Sequence, residues 1–89
     1  HYVLRGGAIA VALLEQSTLE AIEFIVSPTA QVNGKAAADI QLPADAIIAA
    51  YIRNGRAVVP PDDGVIESGD HVVIVSTLAA IPAVEKFFK

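Results

Sequence analysis

The sequence contains no cysteine, methionine or tryptophan, and only 6% of its 89 residues are aromatic. Without cysteine the chain has no disulfide and no thiolate metal ligand, and its two histidines alone fall short of the usual zinc cage. Charged residues make up 18% of the chain, whereas apolar residues make up 54%. Because a small domain buries a limited share of its surface, we expect a homodimer or larger assembly that covers an apolar patch.

Basic residues are few and scattered along the chain. Six lysines and arginines stand against ten acidic residues, which gives a net charge of −4. Since a nucleic-acid duplex is bound by clustered lysine and arginine, no nucleic-acid partner is expected. No apolar run approaches the roughly 18 residues that a membrane-spanning helix needs, and no secretory signal is visible. These absences favour the cytoplasm, and the lack of any methionine predicts a piece of a longer protein.

The clearest structural pattern is a β-hairpin around Asn54-Gly55. This dipeptide supplies the two positive φ angles of a type I′ turn, and β-branched apolar runs flank it. We predict strands over Ala46–Arg53 and Arg56–Val59, the second ended by two prolines that cannot donate to a ladder. A further strand over His71–Ser76 follows a turn with Gly69 at positive φ. Its continuous apolar run is typical of a central strand covered on both faces.

The other segments predict two more strands and two helices. Leu19–Val26 has glutamates at helical spacing, but its aromatic and β-branched end favours a strand. Ala8–Leu14 is predicted to be a leading strand. The alanine-rich Gly34–Ile40 predicts a short helix with Asn33 as its N-cap. Leu78–Phe88 predicts a terminal helix with its apolar side on the sheet.

The predicted element order is β-α-β-β-β-α with a leading strand, an α+β fold in which helices pack on a sheet. Ser76-Thr77 is the predicted cap of the terminal helix. We predict that residues 1–18 end a preceding unit and that residues 19–89 form the domain.

Side chains with catalytic potential are sparse. His71 has no partner nearby in the sequence that would position it as a general base, and we expect it to be a histidine at a sheet edge or facing solvent. No serine lies in a nucleophile context, so no catalytic residue is assigned and an enzyme is not expected. Asp62-Asp63 lack further spaced ligands for a cation and predict a solvated turn. Asn33-Gly34-Lys35 lacks the glycine pattern of a phosphate-binding loop.

Arg53 and Arg56 form the best polar candidate site. A two-residue hairpin places them directly opposite each other, and opposed like charges are unfavourable. An anion such as a phosphate would offset that repulsion. A solvated hairpin end is the alternative interpretation.

Several motifs together resemble the RCK C-terminal domain, also called the TrkA-C domain. The resemblance lies in their order and spacing: Gly34-Lys35, Ile47–Arg53, Gly55, Pro61, Val65-Ile66, Gly69-Asp70, Val72–Val75 and Phe87-Phe88. The segment from Leu4 to Val26 is similar to the junction before the final domain in the peripheral subunit of Trk-type potassium-uptake systems.

The resemblance implies a cytosolic, dimerising regulatory module at the inner face of the membrane, below a membrane-embedded potassium transporter subunit. It implies that NAD or ATP binds an absent neighbouring domain, so no cofactor is expected in this fragment. Some family members bind cyclic di-AMP between two such domains through an Arg and an Asn just before the strand that matches β-strand Ala46–Arg53, and the matching stretch here, Asp39–Ala46, contains neither. The apolar groove walls remain, so the predicted ligand-binding residues are Leu42, Ile47, Ile48, Arg53 and Arg56, with a nucleotide as the candidate ligand.

Two alternatives stay open at this point. TrkA-C domains also occur in other ion and carboxylate transporters, so the transported species is implied by the leading segment alone. Swapped-hairpin DNA-binding proteins of the AbrB type also combine a hairpin with a Gly-Asp turn before an apolar strand, although the acidity of this chain argues against DNA.

Overall fold

The computed structural model describes residues 19–89. In this part of the chain, an antiparallel sheet of four strands has the order β1-β4-β2-β3. Strand β4 pairs along its length with both β1 and β2, so the predicted central position of this strand is confirmed. The strands are β1 (Leu19–Ile25), β2 (Ala46–Arg53), β3 (Arg56–Val58) and β4 (His71–Thr77).

The predicted hairpin is confirmed. Asn54 and Gly55 have φ angles of 52° and 77°, and Arg53 pairs with Arg56 across the turn. Gly69 also has the positive φ predicted for it, 90°. The predicted leading strand and the boundary at residue 18 fall outside the described residues and stay predictions.

The predicted helix over Gly34–Ile40 is wrong. Gly34 has a φ angle of 84°, and Lys35 forms an antiparallel bridge with Ile66. The Gly34 N–H donates to the Ile66 carbonyl at 2.6 Å, and the Ile66 N–H donates to the Lys35 carbonyl at 2.8 Å. This long-range pairing overrides the helix propensity of the alanines, and a 3₁₀ turn remains over Ala37–Asp39.

The terminal helix is shorter than predicted. A 3₁₀ turn over Leu78–Ala80 leads into α1 (Ile81–Glu85). The Phe88 N–H donates to the Glu85 carbonyl, and this bond closes the last turn of the segment. The predicted cap is also wrong, because Thr77 makes no side-chain cap bond. A proline in the first turn of α1 supplies the helical φ angle that starts it.

The core lies between one sheet face and the C-terminal segment. Phe24 of β1 stacks on Phe88 with ring centroids 4.7 Å apart. The carbonyls of Phe87 and Phe88 accept bonds from Val32 and Ser27, which tie the chain end to the loop after β1. The apolar side of the predicted terminal helix therefore does face the sheet. The fully buried apolar side chains are Val26, Val32, Ile66, Val72, Ile74 and Val84.

The opposite sheet face is apolar and partly open. Cross-strand partners share a face, which places Ile25 beside His71 and Ile47 beside Val75. Ile25 and Ile47 are 59% and 61% exposed. The domain therefore carries apolar surface that its own described residues leave open to solvent.

Candidate functional site

A groove of about 560 Å³ opens where strand β2 begins. Its walls come from the loop of residues 37–44, from the start of β2 and from the prolines that follow β3. Leu42, Ile47 and Ile48 all lie in these walls. The structure thus brings together three of the five residues predicted to bind a ligand.

Among residues 19–89, no charged side chain lines this groove, and Gln41 is the only polar side chain in its walls. Its volume is in the range of small-molecule sites, which are typically apolar with a few polar groups. Phosphate recognition draws on arginine, lysine or clustered backbone N–H groups. The part of the groove that the structure describes is therefore suited to an apolar or ring-shaped surface, and it offers no lysine or arginine to a phosphate.

Arg53 and Arg56 lie at a separate, smaller pocket of about 380 Å³ beside the hairpin turn. Tyr51 and Asp62 contribute to the same pocket. The predicted ligand-binding residues are thus divided between two places, with the apolar three in the groove and the two arginines at the hairpin.

The Arg53 guanidinium is already bound within the domain. Its Nε and Nη2 donate to the two carboxylate oxygens of Asp70 at 2.8 and 2.7 Å, and Nη2 also donates to the Val65 carbonyl at 2.7 Å. The Glu67 N–H donates to the same carboxylate at 2.8 Å. An anion is therefore not required to compensate Arg53, while Arg56 across the hairpin is exposed.

Asp70 is 2% exposed, and its carboxylate accepts the hydrogen bonds from Arg53 and from the Glu67 backbone. Burial alone would raise its pKa. The hydrogen bonds from Arg53 and from the Glu67 backbone outweigh burial and hold the pKa of Asp70 below its usual value. Sequence reasoning assigned Gly69-Asp70 only to a turn, since the partner arginine lies 17 positions away.

Asp62 also departs from the prediction of a solvated turn. Its Oδ2 accepts the Tyr51 hydroxyl at 2.5 Å and the Gly64 N–H at 2.8 Å. Asp62 is half-buried, whereas Asp63 is exposed as predicted. The loop after β3 is therefore attached to the core through Tyr51, which is 3% exposed.

We predict that Tyr51 titrates late. The bond to Asp62, followed by burial, raises its pKa from 10.0 to about 12. Because the folded value exceeds the unfolded one, this bond contributes its full stability below pH 10 and loses it as the pH rises towards 12. Phenolate absorbance of the Tyr2→Phe variant, whose sole tyrosine is Tyr51, should show a midpoint near 12.

Asp62→Asn in the same background is the control, since it removes the carboxylate and keeps the shape. Its phenolate midpoint should fall back towards 10. Equal midpoints in the two proteins would show that Asp62 does not control the Tyr51 hydroxyl.

His71 is 40% exposed, which agrees with the prediction, and its Nδ1 also lies 2.5 Å from Glu23 Oε2. One further prediction needs correction. Asn33 is not a helix cap, since its side chain donates to the Pro28 carbonyl at 3.0 Å and accepts the Ser68 N–H at 3.0 Å. The contacts of His71 with Glu23 and of Asn33 with Ser68 join segments 48 and 35 positions apart, which a local pattern does not reveal.

The four-stranded sheet and its C-terminal helix define a small α+β domain with an apolar groove at the start of β2. A model of the TrkA-C domain family matches residues 21–89. The chain belongs to this family, as the sequence motifs predicted. Membership favours the TrkA-C interpretation over the DNA-binding alternative.

Curated relatives agree with this family. The chain is 37% identical to a Trk system potassium uptake protein TrkA homolog of Archaeoglobus fulgidus, over 92% of this chain and 19% of the relative. It is 37% and 32% identical to the Trk system potassium uptake protein TrkA of Halomonas elongata and of Haemophilus influenzae, each over 99% of this chain and 20% of the relative. The chain thus spans about a fifth of the length of these proteins. Within residues 19–89, no helix has the length and apolar character needed to cross a bilayer.

Proposed function

We propose that this domain is a regulatory, ligand-sensing module of a cytosolic subunit that controls potassium uptake through a Trk-type membrane transporter. Family membership and the names of the relatives support the association with potassium uptake. The observation that carries the sensing role is the open, uncharged groove at the start of β2. The domain acts by binding and does no chemistry of its own.

We also propose that two copies associate through the surface around this groove. Ile47 lies in the groove wall and is 61% exposed. Large apolar side chains exposed next to a groove are typical of interaction surfaces. A homodimer that buries Ile47 of both copies would place two grooves side by side, so that one ligand contacts both.

Regulation follows from this arrangement by linkage. A ligand shifts an equilibrium only if it binds one arrangement better than another. A ligand held between two grooves favours the paired arrangement, and that preference is transmitted to the membrane-embedded subunit. The domain works at the inner face of the membrane, and NAD or ATP binds elsewhere in the longer protein.

The ligand contacts the groove mainly through an uncharged surface. A nucleotide fits this requirement through its base, with its phosphates directed out of the groove. The Arg56 guanidinium lies at the other pocket, so it does not assist in the groove itself.

A thermal-shift screen tests the sensing role. We expect one of the nucleotides, cyclic dinucleotides or nucleosides to raise the melting temperature by about 5 °C or more at saturating concentration. Ala44→Asp should abolish the shift, because Ala44 lines the groove and is exposed enough to change without unfolding the domain.

Arg56→Gln is the matched control, since it alters the hairpin pocket and leaves the groove intact. It should keep the full shift. If the melting-temperature shift persists in Ala44→Asp but disappears in Arg56→Gln, the ligand binds at the hairpin pocket and not in the groove. A screen in which no compound stabilises the domain would count against a sensing role.

A further inference from the structure

One short loop contributes to both the groove and the hairpin pocket. Pro60 and Pro61 stand in the groove wall, whereas Asp62 and Gly64 line the hairpin pocket. Because Asp62 follows the two prolines directly, a contact that fixes its carboxylate also restricts where the prolines lie. The two cavities are therefore connected through the five consecutive residues 60–64.

A single hydrogen bond ties this loop to the sheet. The Tyr51 hydroxyl donates to Asp62 Oδ2 at 2.5 Å, and Tyr51 is a residue of β2 that is 3% exposed. The Gly64 N–H donates to the same oxygen at 2.8 Å, whereas Asp62 Oδ1 is buried without a hydrogen-bond partner among residues 19–89. Within that range, the Tyr51 hydroxyl is the only group outside residues 60–64 that forms a hydrogen bond to them. The prolines have no N–H with which to add another.

The chain passes very close to this bond at Gly64. A Cβ atom built at this position would lie 3.0 Å from Asp62 Oδ2 and 3.1 Å from the Tyr51 hydroxyl. Gly64 does not have a positive φ angle, so its backbone conformation does not require glycine. The close approach to the tyrosine and the carboxylate is what favours a residue without a side chain here.

The other two walls of the groove are held by the backbone. Ile47 and Ile48 belong to β2, which pairs with the central strand β4. The loop of residues 37–44 is joined to the start of β2 by a bond from the Ala46 N–H to the Pro43 carbonyl at 3.0 Å. These walls therefore depend on main-chain bonds, whereas the wall formed by the two prolines depends on a side chain.

We propose that Tyr51 and Asp62 are positioning residues for the groove, because their hydrogen bond fixes the wall formed by Pro60 and Pro61. Neither residue lines the groove itself. The inference rests on the proposed function for its biological meaning, since a site that is already ordered loses less conformational freedom when a ligand binds. It also gives the polar residues of the hairpin pocket an effect on the groove that needs no ligand in the pocket.

NMR relaxation of the unliganded chain tests this proposal. Tyr51→Phe removes the hydroxyl and keeps the buried ring. We expect the backbone order parameters of Asp63 and Gly64 to fall from about 0.85, typical of rigid backbone, to below about 0.6. The methyl signals of Ile48, which faces the groove, should move in the same variant because the opposite wall is no longer fixed.

Variants of Asp62 separate this contact from a general loss of structure. Asp62→Ala should loosen the loop at least as much as Tyr51→Phe, since it also removes the acceptor of the Gly64 N–H. Asp62→Asn should keep most of the rigidity, because an amide oxygen still accepts the tyrosine hydroxyl. Tyr51→Phe combined with Asp62→Ala should match Asp62→Ala alone, since both changes remove the same bond.

Asn33→Ala is the matched control. It removes the side-chain bonds to Pro28 and Ser68, which join another pair of loops, and it should leave the order parameters of Asp63 and Gly64 unchanged. A loop that stays as rigid in Tyr51→Phe as in wild type, or that Asn33→Ala loosens equally, would overturn the proposal. The measurement uses no ligand, so these results concern only the positioning of the wall, and a screen without a stabilising compound would count only against the sensing role.

Discussion

Arg53→Met should destabilise the domain clearly more than Arg56→Met does, because it leaves the buried carboxylate of Asp70 without its ionic partner. Asp70 is 2% exposed and receives two of its hydrogen bonds from the Arg53 guanidinium. The substitution keeps most of the apolar stem of the side chain, so packing changes little. Urea unfolding followed by circular dichroism measures the loss.

Arg56→Met is the matched control for this prediction. Arg56 pairs with Arg53 across the hairpin, but it is exposed, and its replacement should change stability by no more than about 0.5 kcal/mol. Equal losses of stability in the two variants would mean that the loss comes from changing the hairpin and not from leaving the Asp70 carboxylate without its partner.

The same pair determines how the domain responds to acid. Because the pKa of Asp70 is lowered in the folded state, its contribution to stability is present above its usual titration range and is lost as the pH falls through the folded value. Adding Asp70→Asn to Arg53→Met should recover part of the stability, since the uncompensated charge is then removed.

Ile47→Asp should weaken self-association by about 100-fold or more, which corresponds to ~2.7 kcal/mol. Dimerisation would otherwise bury the new carboxylate of each copy without a partner. The isolated fold should be unaffected, because Ile47 is 61% exposed. Light scattering behind size exclusion, over a dilution series, measures the change in association.

Leu78→Asp provides a comparison at equal exposure. Leu78 is 62% exposed but lies before α1 and outside the groove. We expect this variant to associate like wild type. If the two variants weakened association to the same extent, the groove would have no special part in it.

The strands of this fold could be predicted because their signals are local. Asn54-Gly55 specifies its own turn, and the apolar run of β4 indicates a strand covered on both faces. The helix over Gly34–Ile40 could not be predicted correctly, because the competing bridge to Ile66 involves residues about 30 positions away. Alanine content reports local propensity, which tertiary pairing overrides.

The apolar part of the candidate site could be predicted from the sequence, but the contacts of its polar residues could not. Leu42, Ile47 and Ile48 were identified through the resemblance to the TrkA-C domain, and they do line one groove. The ion pair of Arg53 with Asp70 and the contact of His71 with Glu23 connect residues 17 and 48 positions apart. Such partners become visible only once the register of the sheet is known.

Sedimentation equilibrium of the unmodified chain is the most direct test of the account, because regulation by this domain is proposed to require two copies. We expect reversible dimerisation to be detectable at concentrations up to about 1 mM, the range of weak association. A chain that stays strictly monomeric throughout that range would contradict a shared groove surface.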